Sequence, residues 1–150
     1  MLDIREILYA ELETSDGFQD LINEYTAEAA TQVTPNAKPD SERYRLMTEL
    51  GAIRMIGAFD GDKVVGLAGV VVAKTQMHST TPICSIESFY LRKDWRKGPA
   101  GLQLLNGAKA IAKDAGAPGL LITTPKDSIF NALLGALGMS HIQNVWWCDL

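Results

Sequence analysis

The stretch from Ile86 to Ala115 most constrains the fold, because it has the pattern of a strand, a short basic loop and a long amphipathic helix. The chain turns sharply at Arg96, Lys97 and Gly98 before the helix begins. The first N–H groups of a helix have no intrahelical partner and lie at the positive end of its dipole. The junction therefore suits a phosphate or pyrophosphate, although an ordinary helix start with two glycines and solvated basic side chains explains it equally well.

The first third of the chain predicts one strand and two helices. Residues 3–12 mix apolar and charged side chains, which favours an opening strand, although a helix fits nearly as well. Residues 17–31 have apolar side chains at helical spacing, and a proline-containing loop is expected over 32–38. Asp40 or Ser41 then caps a second helix. The apolar stripe of that helix consists of Tyr44, Met47, Leu50 and Ala52.

The middle of the chain has the pattern of β-strands. Residues 53–60 and 63–74 flank the turn residues Gly61 and Asp62, which predicts a hairpin. The second arm is apolar almost throughout, as expected for a strand that is covered on both faces. A third strand is expected over residues 84–93.

The last third predicts a helix, a strand, a helix and a strand. The first helix begins near Pro99 and ends at Gly116, and strands over 119–125 and 141–150 flank a helix over 129–137. The apolar face of the first helix consists of Leu104, Leu105, Ala108, Ile111, Ala112 and Ala115. The complete order is strand, two helices, three strands, helix, strand, helix and strand. It predicts a single mixed α/β domain over residues 1–150.

Composition limits the classes of function. Eighteen acidic and 14 basic residues give a net charge of −4, which makes general nucleic-acid binding through a basic surface an unfavourable interpretation. No Cys/His spacing indicates zinc, and two cysteines do not form a secreted disulfide framework. The acidic amino terminus does not match a signal peptide, and no apolar run reaches the roughly 20 residues of a membrane helix. We therefore expect a cytoplasmic protein with no membrane segment.

Residues 91–105 resemble the central motif of the GNAT superfamily of acyl-CoA-dependent N-acyltransferases, roughly Val-x-x-x-x-Arg/Gln-x-x-Gly-x-Gly/Ala. Leu91 takes the Val position, Arg96 the Arg position and Gly101 the last glycine. The form of the loop is also similar to that of bacteriophage-encoded members. If such a phage origin holds, a host protein or a modified nucleic-acid base becomes a further possible acceptor.

Two other segments extend the resemblance over nearly the whole chain. Residues 60–70 are similar to the family's usual turn and third strand, and residues 131–139 to its Asn-containing helix, with Met139 in place of Phe. The resemblance implies a GNAT-like fold, in which about four helices flank a central mixed, largely antiparallel sheet. It also implies acetyl-CoA (coenzyme A) as cofactor. The acceptor would be a small-molecule amine, or a protein lysine or N-terminal amine.

The resemblance also implies roles for single residues. The main chain of Phe89 and Leu91 would hold the pantetheine arm as if it were a neighbouring strand, and Ser128 and Asn131 would line the far side of the coenzyme. Glu87 would act as general base for the attacking amine. The pyrophosphate would be bound by Arg96, Lys97, Gly98, Ala100, Gly101 and Leu102.

Glu87 has two interpretations of equal weight. In the catalytic one it is partly buried among Cys84, Ile86 and Phe89, within reach of the amine. In the other it is a solvent-facing or salt-bridged residue of the strand.

Three positions depart from the family pattern. Pro99 stands at the usual first glycine and removes one N–H from the phosphate site. Leu134 stands where the family often has a Tyr general acid, so either another group, such as Tyr90 or water, protonates the leaving thiolate, or the thiolate leaves unaided. Only 12 residues follow Gly138, enough for one strand.

Because of that short end, the acceptor pocket would be open, completed by a second subunit of a homodimer, or shaped by the loop over 76–82. A weakly active or inactive binding protein with the same fold is the alternative function.

The remaining cysteines and tryptophans are expected to be structural. Cys84 and Cys148 fit buried small apolar residues. Trp146 and Trp147 would lie on opposite faces of the last strand. This favours one indole in the core and one covering the outer face of the sheet over an aromatic cage for the acceptor.

Overall fold

A computed structural model describes residues 1–29, 38–74 and 80–149. The predicted loops over 32–38 and 76–82 lie largely outside the described residues. The elements are β1 (Asp3–Ile7), α1 (Tyr9–Leu12), α2 (Phe18–Ala29), α3 (Ser41–Glu49), β2 (Ile53–Asp60), β3 (Lys63–Ala73), β4 (Ile83–Leu91), α4 (Ala100–Asp114), β5 (Leu120–Leu121) and α5 (Ile129–Ala136). A 3-10 turn, Lys93–Trp95, lies between β4 and α4. None of the helices in the described ranges has the length and apolarity that a membrane span requires.

The five strands form one sheet in the order β1-β2-β3-β4-β5. All neighbours are antiparallel except β4 and β5, which are parallel, so the predicted mixed and largely antiparallel sheet is confirmed. The predicted hairpin is also confirmed: Asp60 pairs with Lys63, and Gly61 has a φ of 59°. A positive φ is inexpensive only for glycine, which explains this residue at the turn.

Helices cover both faces of the sheet. Successive side chains of a strand alternate between its faces, but a β-bulge at Val65 shifts that alternation within β3. The strand therefore supplies Val64 and Leu67 to one face and Val65 and Ala68 to the other. The first face packs against α1, α2 and α3, and its core includes Tyr9, Leu12, Phe18, Leu21, Ile22, Met55 and Phe59. The second face packs against α4, whose predicted stripe supplies Leu104, Ala108, Ile111 and Ala112.

The predicted opening strand over 3–12 is wrong in its second half. The strand ends at Ile7, and Leu8 begins a single helical turn in which its carbonyl accepts from the Leu12 N–H at 3.0 Å. Tyr9 and Leu12, three residues apart, are 2% and 0% exposed, because one helical turn places both against the sheet. The described ranges contain five α-helices, because this short turn adds one to the four that the sequence predicts.

The predicted final strand over 141–150 is also wrong, since residues 141–149 form no strand and are exposed. Trp146 and Trp147 are 89% and 54% exposed, so neither belongs to the core. Cys148 is exposed as well, whereas Cys84 is buried as expected. The predicted strand over 119–125 is present only as β5, which pairs with β4 over two residues. Because a strand needs a hydrogen-bonding partner, so short a β5 offers no ladder for a further strand.

A β-bulge in β4 determines how Glu87 is presented. Gly69 pairs with Ser88 and Val70 pairs with Ile86, which leaves Glu87 as an extra residue without a partner. Cys84, Ile86 and Phe89 pack on the α4 face, whereas Glu87 lines a cavity on the other face. The expected burial of Glu87 among those three residues is therefore wrong, and Glu87 is exposed.

Gly69 makes room for the bulge. A Cβ at this position would lie 2.6 Å from Ser88 Oγ, 3.0 Å from Met55 Sδ and 3.1 Å from Glu87 Oε2. Because contacts below 3.0 Å force atoms apart, any larger residue would displace the side chains that line the cavity.

We expect Gly69→Ala to lower the free energy of unfolding by about 1–3 kcal/mol, because the added methyl group overpacks the bulge. Gly135→Ala in α5 is the matched control: a Cβ there meets nothing within 4 Å, and alanine favours a helix. Urea unfolding measures both. A Gly69→Ala variant as stable as the control would contradict this account of the bulge.

Candidate active site

The edge of β4 that faces β5 is open over most of its length. The parallel pairing with β5 involves only Cys84 and Ser85. At the end of the strand, the Arg92 N–H donates to the Val65 carbonyl of β3 at 2.9 Å. Because the main-chain groups of alternate residues point in opposite directions, those of Phe89 and Leu91 point away from β3 and towards the open edge. An extended ligand can lie there as an additional strand.

Protein groups already engage part of this edge. Arg96 Nε donates to the Leu91 carbonyl at 2.8 Å. The main-chain N–H of Phe89 lies near the Tyr25 hydroxyl and acts to lower the pKa of that phenol, an effect that burial outweighs. The N–H of Leu91 and the carbonyl of Phe89 therefore remain for a ligand.

The loop and the start of α4 present a compact set of N–H groups. The first intrahelical bond runs from the Gln103 N–H to the Pro99 carbonyl at 2.9 Å, so three preceding amides have no intrahelical acceptor. These are the N–H groups of Ala100, Gly101 and Leu102. Pro99 is the N-cap and, as a proline, has no N–H to add to this set.

Gly98 gives the loop its shape. Its φ of 117° lies in the region that favours glycine, and a Cβ there would meet nothing within 4 Å. The backbone at the helix start can therefore approach an anion closely, and the donor set fits a pyrophosphate.

Most of the loop's positive charge is paired with acidic residues of α2. Glu24 pairs with Arg92 at 2.5 Å. Glu28 pairs with Arg96 at 2.8 Å and with Lys93 at 3.6 Å. The sequence reasoning did not identify this network, although Glu24 and Glu28 lie four residues apart on one helical face and oppose a basic run.

Lys97 differs from the other basic residues of the loop, because no described carboxylate forms an ion pair with it. It is exposed beside Gly98. Lys97 is therefore the loop side chain most available to an anion.

Tyr90 belongs to the α2 network. Its hydroxyl donates to Glu28 Oε1 at 2.8 Å, and burial together with this hydrogen bond raises the pKa of Tyr90 to about 12. The Arg96 guanidinium lies 5.2 Å from the centre of its ring. This placement favours a structural function for Tyr90 between β4 and α2.

Glu28 is held in its charged form. Partial burial alone would raise the pKa of its carboxyl, but hydrogen bonds from Arg96 and Tyr90 outweigh that effect and hold the pKa below its ordinary value. The carboxylate thus connects three donors of β4 and the loop to α2.

A cavity of about 270 Å³ lies between α2, α3 and the sheet. Its wall includes Tyr9, Tyr25, Tyr44, Met55, Glu87 and Ser88. The Tyr44 hydroxyl donates to Glu87 Oε1. Burial and the Glu87 carboxylate raise the pKa of Tyr44, so this phenol stays protonated and remains a donor.

A stack of rings fixes Tyr44. It lies 5.0 Å from Tyr9, measured between ring centres, with the planes inclined by 25°. The hydroxyl of Tyr9 is 3.3 Å from Ser41 Oγ at the start of α3. The Glu87 carboxylate is therefore held from the α3 side of the cavity.

Ser88 is a second polar residue of this wall. It is 7% exposed, and no described group forms a hydrogen bond with its Oγ. A buried polar atom without a partner costs about 1–3 kcal/mol. Nothing in the sequence indicated this orphaned hydroxyl, because it results from the bulge.

Ser128 and Asn131 lie at the start of α5 and shape their own loop. Ser128 caps the helix by accepting from the Phe130 N–H at 3.2 Å. Asn131 Nδ2 donates to the carbonyls of Pro125 and Lys126 at 3.1 and 2.9 Å. Their predicted contact with a coenzyme stays a prediction. The stack of Phe130 on Phe89, with ring centres 5.5 Å apart, brings α5 to the open edge of β4.

We expect Glu28→Gln to lower stability at pH 7 by up to about 1 kcal/mol, since three donors lose a charged acceptor. The folded-state pKa of Glu28 lies below the ordinary 4.5, so its stabilisation is complete above that pH and disappears as the pH falls through the folded value. The difference between variant and wild type should therefore shrink in acid.

Urea midpoints at pH 7 and near pH 3 measure that difference. Glu42→Gln on α3 is the control, because no described side chain donates a hydrogen bond to this exposed glutamate. A Glu28→Gln effect that is unchanged by pH would show that the carboxylate's charge is unimportant.

The whole described fold is similar to solved acetyltransferase structures. An aminoglycoside acetyltransferase from an uncultured soil metagenomic sample, in complex with trehalose, superposes with a TM-score of 0.78 at 17% identity, over 99% of this chain and 96% of that chain. The aminoglycoside N-acetyltransferase AAC(6')-Iy in complex with CoA gives 0.74 at 15% identity, over 100% and 95%. A ribosomal-protein-alanine N-acetyltransferase from Brucella melitensis biovar Abortus 2308 gives 0.75 at 14%, over 100% of both chains.

At these identities the structures show the fold alone, and no curated protein sequence matches the chain. A family model supplies the assignment. The model of the acetyltransferase (GNAT) family matches residues 18–133, from the start of α2 into α5, which include most of the cavity wall, the open edge and the glycine loop. The chain belongs to the GNAT acetyltransferase family.

Proposed function

We propose that this protein is an acyl-CoA-dependent N-acyltransferase, which transfers an acetyl group from acetyl-CoA to a primary amine with Glu87 as general base. The observation that carries the proposal is the position of Glu87. The bulge turns it into a cavity of about 270 Å³, Tyr44 holds its carboxylate, and the residues that follow it form the open edge of β4. One carboxylate thus lies between a candidate acceptor pocket and a candidate coenzyme site.

When bound, acetyl-CoA supplies the thioester that carries the acetyl group. The N–H groups of Gly98, Ala100, Gly101 and Leu102 would bind its pyrophosphate, with Lys97 adding charge. This assignment rests on the free amides at the helix start and on the open space at Gly98.

Arg96 would contribute indirectly, since its guanidinium is bonded to Leu91 and Glu28. Leu91 N–H and Phe89 C=O would hold the arm of the coenzyme along the open edge. Ser128 and Asn131 would form the far wall.

The cavity suits an amine. Its aromatic faces attract a cation, and the Glu87 carboxylate adds a negative charge. Glu87 would take a proton from the amine, directly or through water, because only the neutral amine has the lone pair for attack. A strand N–H near Leu91 would polarise the acyl oxygen. The solved relatives named above include aminoglycoside acetyltransferases and a ribosomal-protein enzyme, which supports either a small-molecule amine or a protein amine as acceptor.

A coenzyme-binding protein without turnover is the second candidate. Leu134 in place of the family's usual Tyr favours it, because that position supplies no proton to the leaving thiolate.

We expect acetyl-CoA to bind in calorimetry, and Glu87→Gln to reduce acetyl transfer by about 10²–10⁴-fold while coenzyme affinity is kept. Glu49→Gln, at the exposed end of α3, is the matched control and should behave as wild type. Absence of binding at high micromolar acetyl-CoA would refute the proposal that the protein is an acetyl-CoA-dependent enzyme. Binding without any turnover in wild type would instead support the second candidate.

Lys97→Ala should weaken coenzyme affinity by about two- to fivefold, the effect of one exposed charge. Lys113→Ala, in the last turn of α4, removes the same charge far from the loop and should leave affinity unchanged. Equal effects of the two substitutions would mean that only net charge matters, and that the loop is not the phosphate site.

A further inference from the structure

Acetyl transfer, if the proposed function holds, leaves a sulfur atom that must take up a proton. Leu134 cannot supply it, so the proton comes from solvent or from another group near the open edge of β4. The chain has four tyrosines: Tyr9, Tyr25, Tyr44 and Tyr90. Their hydroxyl groups differ in what they are bonded to, and this difference selects one of them.

Three of the four hydroxyls are engaged with other side chains. Tyr44 donates to Glu87, and Tyr90 donates to Glu28. The hydroxyl of Tyr9 pairs with Ser41 at the start of α3, on the side of the cavity away from β5. A proton that is already shared with a carboxylate is not available to a leaving group without breaking that bond.

Tyr25 is different. The Phe89 N–H lies near its oxygen, and no side chain in the described ranges accepts its proton. Phe89 N–H points to the open edge of β4, so the hydroxyl lies at that edge too.

The position of Tyr25 is well defined. Its ring stacks on Tyr90 with centres 5.0 Å apart and planes inclined by 22°. It also lines the cavity that contains Glu87. The phenol is thus held between the candidate base and the edge along which the thioester would lie.

We infer that Tyr25 donates the proton that the leaving sulfur takes up. The amine nitrogen forms the C–N bond and gives one proton to Glu87. The C–S bond breaks, its electron pair stays on sulfur, and sulfur takes the hydroxyl proton of Tyr25. The phenolate is then reprotonated with the proton that Glu87 received, through solvent in the cavity, so that an amide and a free thiol are the only products.

The surroundings of Tyr25 keep it protonated. Burial is the main cause that raises the pKa of its phenol, and the nearby Glu87 carboxylate adds to it, while the Phe89 N–H acts in the opposite direction. That N–H would also stabilise the phenolate for the short time that it exists. The main-chain contact thus makes the phenol a better donor than its burial alone would allow.

Binding of the product separates this role from a merely structural one. The probes are CoA and desulfo-CoA, which lacks the sulfur, measured by calorimetry from pH 7 to pH 9.5. A thiol ionises near pH 8.5, and a hydroxyl donor favours the thiolate. The wild-type preference for CoA over desulfo-CoA should therefore rise by about fivefold or more across this range, and Tyr25→Phe should abolish that rise.

Tyr90→Phe is the matched variant, since it removes a hydroxyl from the other ring of the same stack; it should keep the rise. If Tyr25→Phe fails to fold, 3-fluorotyrosine at residue 25 replaces it; because its more acidic phenol loses the proton at lower pH, the rise should stop at lower pH than in wild type. A rise that persists in Tyr25→Phe, or that is lost in Tyr90→Phe instead, would overturn the inference and leave the proposed function intact. Absence of binding by both probes would refute the coenzyme site itself.

Discussion

The extra residue in β4 is the constraint on which the rest of the site depends. Before the bulge, Cys84 and Ile86 face α4, and after it Phe89 resumes the same face. Between them, Glu87 and Ser88 both lie on the cavity side. In a strand without a bulge, these two consecutive residues would lie on opposite faces. The bulge that places a carboxylate in the cavity also leaves the Ser88 hydroxyl without a hydrogen-bond partner and requires a glycine at position 69.

Acidic residues of α2 limit the positive charge that the loop before α4 offers to a ligand. An isolated basic run would attract any anion, but α2 supplies Glu24 and Glu28 as ion-pair partners. In addition, Arg96 Nε donates a hydrogen bond to the Leu91 carbonyl. If the loop binds a phosphate as proposed, selection for it falls to the directional main-chain N–H groups at the helix start, whose positions are fixed by the fold. Arg96 stabilises the loop conformation from which those groups point.

The sequence was informative wherever a local pattern decides the structure. Hydrophobic periodicity located α4, the hairpin of β2 and β3, and the glycine loop, and the motif around Arg96 and Gly101 led to the correct family. Periodicity could not locate the bulge, because an extra residue leaves no trace in composition. It also placed a strand at 141–150, since alternation says nothing about whether a partner strand is present. The tyrosine hydroxyls were equally inaccessible, because their partners lie 32 to 62 residues away.

Helix α2 contributes to both halves of the candidate site. One side of it, including Ile22, Tyr25 and Thr26, walls the cavity, while Glu24 and Glu28 neutralise the loop. A rigid helix cannot move one set of side chains without the other. If a ligand in the cavity shifted this helix as a body, the shift would therefore reach the loop, and such a coupling would be reciprocal: whatever free energy one ligand added to the binding of the other, it would receive in equal measure.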